Sequence, residues 1–273
     1  MRLRTAHKRA KTSPVHLVMM SGGAGSYLVA KRVAQKHNRK NVILLFADTK
    51  VEEPSLYQFI ELAARKLRVK LVKIADGRTP WQLFFDEGFI GNSRVPLCSK
   101  KLKREILNQW RDKHCHPKRT TVYIGIDWTE AHRFERFKIN SAPYRSEAPL
   151  LYPPYLSKRQ MVEICQRDGL PMGHLYEAGF SHRNCKGACV QAGQGQWAQL
   201  YHHNPEWFWH NAREEERFRS TTGKDVSILR EQRNGVRRPL TLITLASRID
   251  QKQSVDMFDL GGCGCAIDDA VSV

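Results

Sequence analysis

VHLVMM (residues 15–20), SGGAGS (residues 21–26) and YLVAKRVAQ (residues 27–35) form the stretch whose reading decides the fold. Val15 to Met20 is a short apolar run that ends in a glycine turn. Beyond the turn, Leu28, Val29, Val33 and Ala34 recur at the spacing of one buried helix face. A second apolar run, Val42 to Ala47, ends in Asp48-Thr49. Strand, glycine turn, helix and strand make a βαβ opening, and a turn of this kind aims backbone N–H groups at an anion. Ser21 and Ser26 add hydroxyl donors at its two ends. The bland alternative is a tight strand-to-helix turn without a ligand. Three glycines and two serines in residues 21–26 favour a phosphate cradle.

Working outward, Glu52-Glu53-Pro54 opens a helix to about Leu67, and Val69 to Ile74 reads as a third strand. Thr79-Pro80-Trp81 opens a short helix ending near Gly88, Ser99 caps another reaching about Trp110, and Thr121 to Ile126 is a fourth strand. Asp48 and Thr49 fall at a strand's carboxyl end, where open α/β sheets bind ligands; Asp48 either meets a ligand or metal or caps its own turn. Gly125 lets a nucleotide approach the backbone, while Glu130 and Arg133 either hold each other or contact substrate. From Phe134 to Tyr155, prolines 143, 149, 153 and 154 interrupt any periodicity, so the expectation is a long linker or lid. Its Arg133, Arg136, Lys138 and Arg145 would face a polyanion. Further on, the pattern predicts helices over Ser157–Gln166, Trp197–Leu200, Pro205–Phe218 and Ser247–Met257. Residues 219–238 read as a mobile basic loop, and Trp197, Trp207, Phe208 and Phe218 as an aromatic core.

The chain of 273 residues carries 45 Lys+Arg against 27 Asp+Glu, a net charge of +18. Such a surface favours phosphate-bearing partners, nucleic acid (tRNA or DNA) first among them. No run of about 18 apolar residues spans a membrane. Residues 1–14 read as a basic arm without the apolar stretch of a signal peptide. The expected division is this arm, an α/β nucleotide-binding domain over 15–150, and a helical, cysteine-bearing part over 151–273. A cytoplasmic setting and homo-oligomer formation are further expectations.

The seven cysteines, in a chain without a secretory signal, argue against a disulfide scaffold. Cys98 sits at the mouth of a helix among Lys100, Lys101, Lys103 and Arg104, a setting that lowers a thiol pKa and disfavours a buried, inert role. Cys115, between His114 and His116, reads as surface loop, and Cys165 as core. Cys185 and Cys189, with Gly187 between them, can aim two thiolates at one centre. Cys98, Cys263 and Cys265 are the candidate further ligands, with His182 as a substitute. An iron–sulfur cluster is the favoured occupant, with zinc or uncoordinated thiols as alternatives.

The turn matches neither the dinucleotide fingerprint nor the common triphosphatase loop. It resembles the S-G-G-x-x-S loop of the PP-loop superfamily, whose usual ATP-cleaving form carries Asp where this chain has Gly25. The resemblance implies a three-layer α/β fold with a parallel twisted sheet of the PP-loop/HUP type. It also implies a phosphate cradle at Ser21, Gly22, Gly23, Gly25 and Ser26. Asp48, Thr49, Gly125 and Glu130 would join them in holding nucleotide, with magnesium as an accompanying ion. The sulfonucleotide reductase branch adds matches at Cys98 (its partner position being Ser99), Gly179-Phe180 and Cys185/Cys189. By that resemblance a 4Fe-4S cluster draws on Cys98, Cys185, Cys189 and one of Cys263 or Cys265. The other tail cysteine is then a catalytic nucleophile, and Lys103 and Arg133 are catalytic cations.

Two enzymatic readings and one binding reading follow. The first is ATP-dependent adenylation, with pyrophosphate release and sulfur modification of a nucleic acid or nucleoside from a sulfur donor. The second is reduction of an adenylyl or phosphoadenylyl sulfate by Cys265 or Cys263 and an external thiol reductant. The third is a non-catalytic nucleic-acid-binding protein with a structural cluster.

Overall fold

The computed structural model describes residues 13–93, 95–180, 183–233 and 235–261. The two apolar runs form β1 (Val15–Met19) and β2 (Val42–Asp48), joined through α1 (Ala24–Lys36). The chain continues through α2 (Pro54–Leu67), β3 (Lys70–Ala75), α3 (Pro80–Glu87), a π-helical segment (Ser99–Glu105), α4 (Ile106–His114) and β4 (Thr120–Tyr123). Next come α5 (His132–Ser141), β5 (Arg145–Glu147), α6 (Lys158–Arg167), the single turn α7 (His174–Glu177), α8 (Gln194–His203) and α9 (Pro205–Thr222). A hairpin of β6 (Leu229–Arg233) and β7 (Val236–Leu240) precedes α10 (Leu242–Asp250). Among the described residues, no helix is long and apolar enough to cross a membrane.

These elements make two compact units from interleaved stretches. Of the described residues, the first unit takes those within 13–48, 54–74 and 105–172, and the second those within 49–53, 75–104 and 173–261. The division expected from the sequence is an arm over 1–14 and two parts over 15–150 and 151–273.

In the first unit the strand order is β3-β2-β1-β4-β5, the α/β architecture expected from the sequence. β1 pairs in parallel with β2 and with β4, setting Leu17 opposite Ile43 and Val122, and β4 pairs in parallel with β5. Leu17, Val18, Leu44 and Leu45 are fully buried, as strands covered on both faces require. The predicted face of α1 is also buried, at Leu28, Val29, Val33 and Ala34.

The second unit is mostly helical. Trp197, Phe208 and Phe218 are fully buried in its apolar cluster with Phe84, Leu102 and Leu245, and Trp207 packs against that cluster from its edge. The indole of Trp81 donates to Asn211 Oδ1 at 2.9 Å, so a buried polar edge finds its partner. Glu215 on α9 is 1% exposed, and its two oxygens accept the backbone N–H groups of Ile228 (2.8 Å) and Leu242 (2.7 Å). One carboxylate thus fixes the chain at both ends of the hairpin. Burial raises its pKa from 4.5 to about 7, against the pull of the two N–H donors.

Three expectations need correction. The stretch from Phe134 to Tyr155 is not a linker or lid: α5 buries Phe134 and Phe137, and β5 adds the edge strand to the sheet. Residues 219–238 are not simply a loop, since α9 runs on to Thr222 and Gly223 closes it in a left-handed conformation before β6 begins. The final helix starts at Leu242, capped by Thr241, and ends at Asp250, before the expected stop at Met257.

Removing the Glu215 carboxylate leaves two buried N–H groups without acceptors. Glu215→Ala is therefore expected to lower unfolding free energy by about 2–4 kcal/mol, measured by urea denaturation. The folded-state pKa lies above the unfolded one, so Glu215's contribution falls as pH rises from about 4.5 to about 7 and is level above that. The wild type should show this slope relative to the alanine variant, and equal slopes would refute the assignment.

Candidate functional site

In a sheet ordered β3-β2-β1-β4-β5, the connections leave β1 in opposite directions, and the crevice between the carboxyl ends of β1 and β4 is where such sheets bind ligands. The glycine turn lies there. Gly23 is the N-cap of α1, no side chain caps the helix, and no acid stands in its first turn. Tyr27 N–H donates to Gly23 O at 3.2 Å, which begins the helical ladder. The N–H groups of Ala24, Gly25 and Ser26 precede it and project from the helix mouth, where the helix dipole favours an anion. Ser26 Oγ donates to Gly23 O at 2.8 Å, and Ser21 Oγ accepts the Gly23 N–H at 3.4 Å.

Three glycines are dictated by space. Gly22 has φ +81°, and a Cβ there would stand 2.6 Å from Leu56 Cγ. A Cβ on Gly125 would lie 3.0 Å from Ser26 N and 3.2 Å from Gly25 C, so the turn after β4 meets the helix mouth backbone to backbone. The same contact restricts Gly25, whose Cβ would come 3.3 Å from the Gly125 carbonyl. An aspartate at that position would need the neighbouring turn to give way.

Among the other nucleotide-site candidates in the first unit, Asp48 accepts the Tyr57 hydroxyl at 2.7 Å. Arg133 Nη1 donates to Glu130 Oε1 at 2.7 Å, the mutual pairing foreseen as one alternative. Asp127, which the sequence reading did not single out, accepts Thr129 N–H at 2.9 Å and fixes the turn leading to Glu130.

The second unit places Thr49, Lys103 and Cys185 around one buried carboxylate, that of Glu52 (3% exposed). Thr49 Oγ1 donates to Glu52 Oε1 at 2.9 Å, and Lys103 Nζ lies 3.2 Å from the same oxygen. Glu52 Oε2 accepts the Cys185 N–H at 2.7 Å. The Cys185 turn is strained: Cys185, Lys186 and Gly187 have φ of +54°, +52° and +87°, the first two without glycine's freedom. It is held by Trp207, whose indole donates to Cys185 O at 3.0 Å, and by Gln196, whose amide donates to Gly187 O at 2.8 Å. Lys186 Nζ sits 4.5 Å from the centroid of the Trp207 ring. The part that Glu52, Gln196 and Trp207 play around the Cys185 turn was not seen from the sequence. Glu52-Glu53 beside a proline reads as a helix start, and nothing local marks it as an interior acceptor.

Cys98 departs from its expected setting. It is 9% exposed and shares the apolar cluster with Leu97, Leu102 and, from far along the chain, Cys189. Ser99 is the first residue of the π-helical segment, not a cap. Cys165 is fully buried, as expected, and Cys115 ends α4. Cys263, Cys265 and His182 lie outside the described residues. Among the described residues, no three His, Cys, Asp or Glu side chains gather as a metal-holding group. The expected set of Cys98, Cys185 and Cys189 needs Cys263 or Cys265 to complete it, and both lie outside the described residues.

No protein-family model matches the chain, and no curated protein matches it. Solved structures that overlap it include a phosphoadenylyl-sulfate reductase from Candida auris in a phosphate complex. That pair has a TM-score of 0.45 and 15% identity over 66% of this chain and 86% of the other. An NH3-dependent NAD synthetase from Campylobacter jejuni, in complex with nitrate, gives 0.39 and 15% over 81% and 93%. The U34-tRNA thiolase NcsA from Methanococcus maripaludis, with its [4Fe-4S] cluster, gives 0.42 and 12% over 81% and 79%. The first is a reductase of the kind named in the sequence resemblance. Overlaps this partial carry no argument about substrate or reaction.

The space at Gly22 can be measured against Gly169, which has φ +74° in the same unit but nothing within 4 Å of a Cβ. Gly169→Ala is expected to cost about 1 kcal/mol, the backbone contribution alone. Gly22→Ala adds the clash with Leu56 and should cost about 2–4 kcal/mol in the same urea unfolding measurement. Equal losses would mean that the turn is not shaped by that contact.

Proposed function

We propose that this chain is an adenine-nucleotide-dependent enzyme that adenylates an oxygen of a nucleic-acid substrate, releases pyrophosphate and readies that position for sulfur. The observation that carries the reading is the uncapped, glycine-built mouth of α1 at the crevice between β1 and β4. The excess of cations, +18 overall, suits a larger polyanion better than a small nucleotide alone.

In this reading ATP, with magnesium, sets its phosphates over Ser21 to Ser26. A carbonyl or hydroxyl oxygen of the substrate attacks the α-phosphorus, and the bond to pyrophosphate breaks with its electron pair leaving on pyrophosphate. The N–H groups of Ala24, Gly25 and Ser26 hold the charge that develops, already oriented by the helix, and Ser21 adds a hydroxyl donor; the Ser26 hydroxyl joins them by turning from Gly23 O, to which it donates at 2.8 Å. Arg133, steadied by Glu130, supplies a cation from the first turn of α5. Asp48 and Gly125 border the nucleotide. A persulfide or thiolate donor then attacks the activated carbon, and AMP departs with the original oxygen.

A second reading is favoured by one specific observation: the first turn of α1 has no acid, and Gly25 sits too close to Gly125 to accept one easily. A loop without a carboxylate suits a sulfonucleotide, from which no pyrophosphate need be cleaved. A cysteine thiolate, Cys265 or Cys263, would then attack the sulfur and displace the nucleotide, and an external dithiol would release sulfite.

Two assays separate the readings. Pyrophosphate release from magnesium-ATP, stimulated by RNA or DNA, is the expected result. Ser26→Ala should reduce that rate about tenfold or more while leaving the unfolding midpoint nearly unchanged. Sulfite release from adenylyl sulfate, without pyrophosphate release from ATP under any nucleic acid, overturns the first reading in favour of the second.

A further inference from the structure

Three large rings of the first unit remain at the surface: Trp128 is 49% exposed, Tyr152 65% and Tyr155 57%. Their positions are fixed. Trp128 and Tyr155 meet edge to face with centroids 6.1 Å apart, and the Trp128 indole donates to Leu156 O at 3.3 Å. Arg32 of α1 holds the intervening proline-rich turn by donating to the carbonyls of Pro149 (2.6 Å), Tyr152 (3.1 Å) and Pro154 (2.6 Å). Rings held in place by backbone contacts, with their faces in water, cost little further ordering when a flat ligand arrives.

Tyr152 also lines a cavity of about 740 Å³, within the range of about 300–1,000 Å³ usual for small-molecule sites. Lys36, His37, Lys138 and Arg145 stand around it, with Glu147 as the one carboxylate among its lining residues. Lys138 and Arg145 each share a carboxylate, Glu135 at 2.6 Å and Glu147 at 2.8 Å, and Arg159 beyond Tyr155 shares Glu163 at 2.9 Å. Lys36, Arg136 and Lys158 make no ion pair among the described residues. His37 stacks on His16 at 3.6 Å, and burial, with Lys36 beside it, lowers its pKa. It therefore offers the cavity a neutral ring at neutral pH.

We infer that the exposed rings Trp128, Tyr152 and Tyr155, with the cation-rimmed cavity beside them, form a binding site for single-stranded nucleic acid. Bases stack on the rings, one nucleotide enters the cavity, and phosphates meet Lys36, Lys138 and Arg145. A duplex keeps its bases stacked on each other and cannot use the ring faces. Protein interfaces also use Tyr and Trp; here Lys36, Lys138 and Arg145 at the cavity beside the rings favour a polyanion as the occupant. The inference rests on the nucleic-acid reading above and gives it a strand form and a location.

The test is fluorescence anisotropy of a labelled 12-nucleotide strand, as RNA and as DNA, against the full chain without ATP, with the complementary duplex as comparison. The single strand should bind at least tenfold more tightly than the duplex. Tyr152→Ala and Trp128→Ala should each weaken single-strand binding about tenfold, the size of one stacking contact, and leave duplex binding unchanged. Trp128→Phe, which keeps a ring but loses the indole N–H, should restore most of the affinity and guards against a folding defect. Equal affinity for strand and duplex, or ring variants that bind like the wild type, overturns the site. Pyrophosphate release measured on the same proteins separates the two ideas. Tight ring-dependent binding without ATP cleavage removes the adenylation reading and leaves this one, and the reverse pattern removes this one alone.

Discussion

Parallel pairing is the constraint from which the first unit follows. Strands that run in the same direction need a crossover between each pair, so the carboxyl ends of β1, β2 and β4 all open on one edge of the sheet. That is why Ser21–Ser26, Asp48 and Gly125, far apart in the chain, serve one edge. The pairing is exact enough for a carbonyl at Gly125 to touch the start of α1 without room for a side chain. A helix dipole and three outward N–H groups are thereby delivered to the crevice by topology, and the local residues need only stay small.

The second unit solves a different problem. Its chain is rich in turns, and two interior carboxylates bind main-chain amides from distant segments. Glu215 gathers Ile228 and Leu242, and Glu52 gathers Cys185 together with the side chains of Thr49 and Lys103. Each such bond to a charged acceptor is worth about 1.5–3 kcal/mol, more than a neutral one, and a buried acid left without its donors would be a liability. The two sites differ in chemistry. Glu52 has an ammonium beside it, while Glu215 has amides on both oxygens and a pKa near neutrality, about 7.

What was legible in the sequence depended on whether the signal was local. The βαβ opening and its glycine turn could be read because apolar runs, a 3.6-residue helix face and small residues all lie within one stretch. Helix α5 was hidden by the prolines that follow it, although Phe134 and Phe137 carry the spacing of a buried face. The hairpin was hidden by its polarity: Leu229 and Leu240, paired across it, are its buried apolar ends, and Asn-Gly at 234–235 was the turn signal passed over. For Cys98 the charged neighbours misled, since burial there is decided by segments far along the chain. Glu52 is the hardest case, because a carboxylate that binds a backbone amide more than a hundred residues away leaves no pattern of its own.

Helix α1 does two jobs along one axis. Its first turn faces the crevice, and two turns later Arg32 grips three carbonyls of the segment that carries Tyr152. The backbone around Tyr152 is thus tied by three bonds to the same helix whose mouth opens on the crevice, and neither can be displaced without straining them.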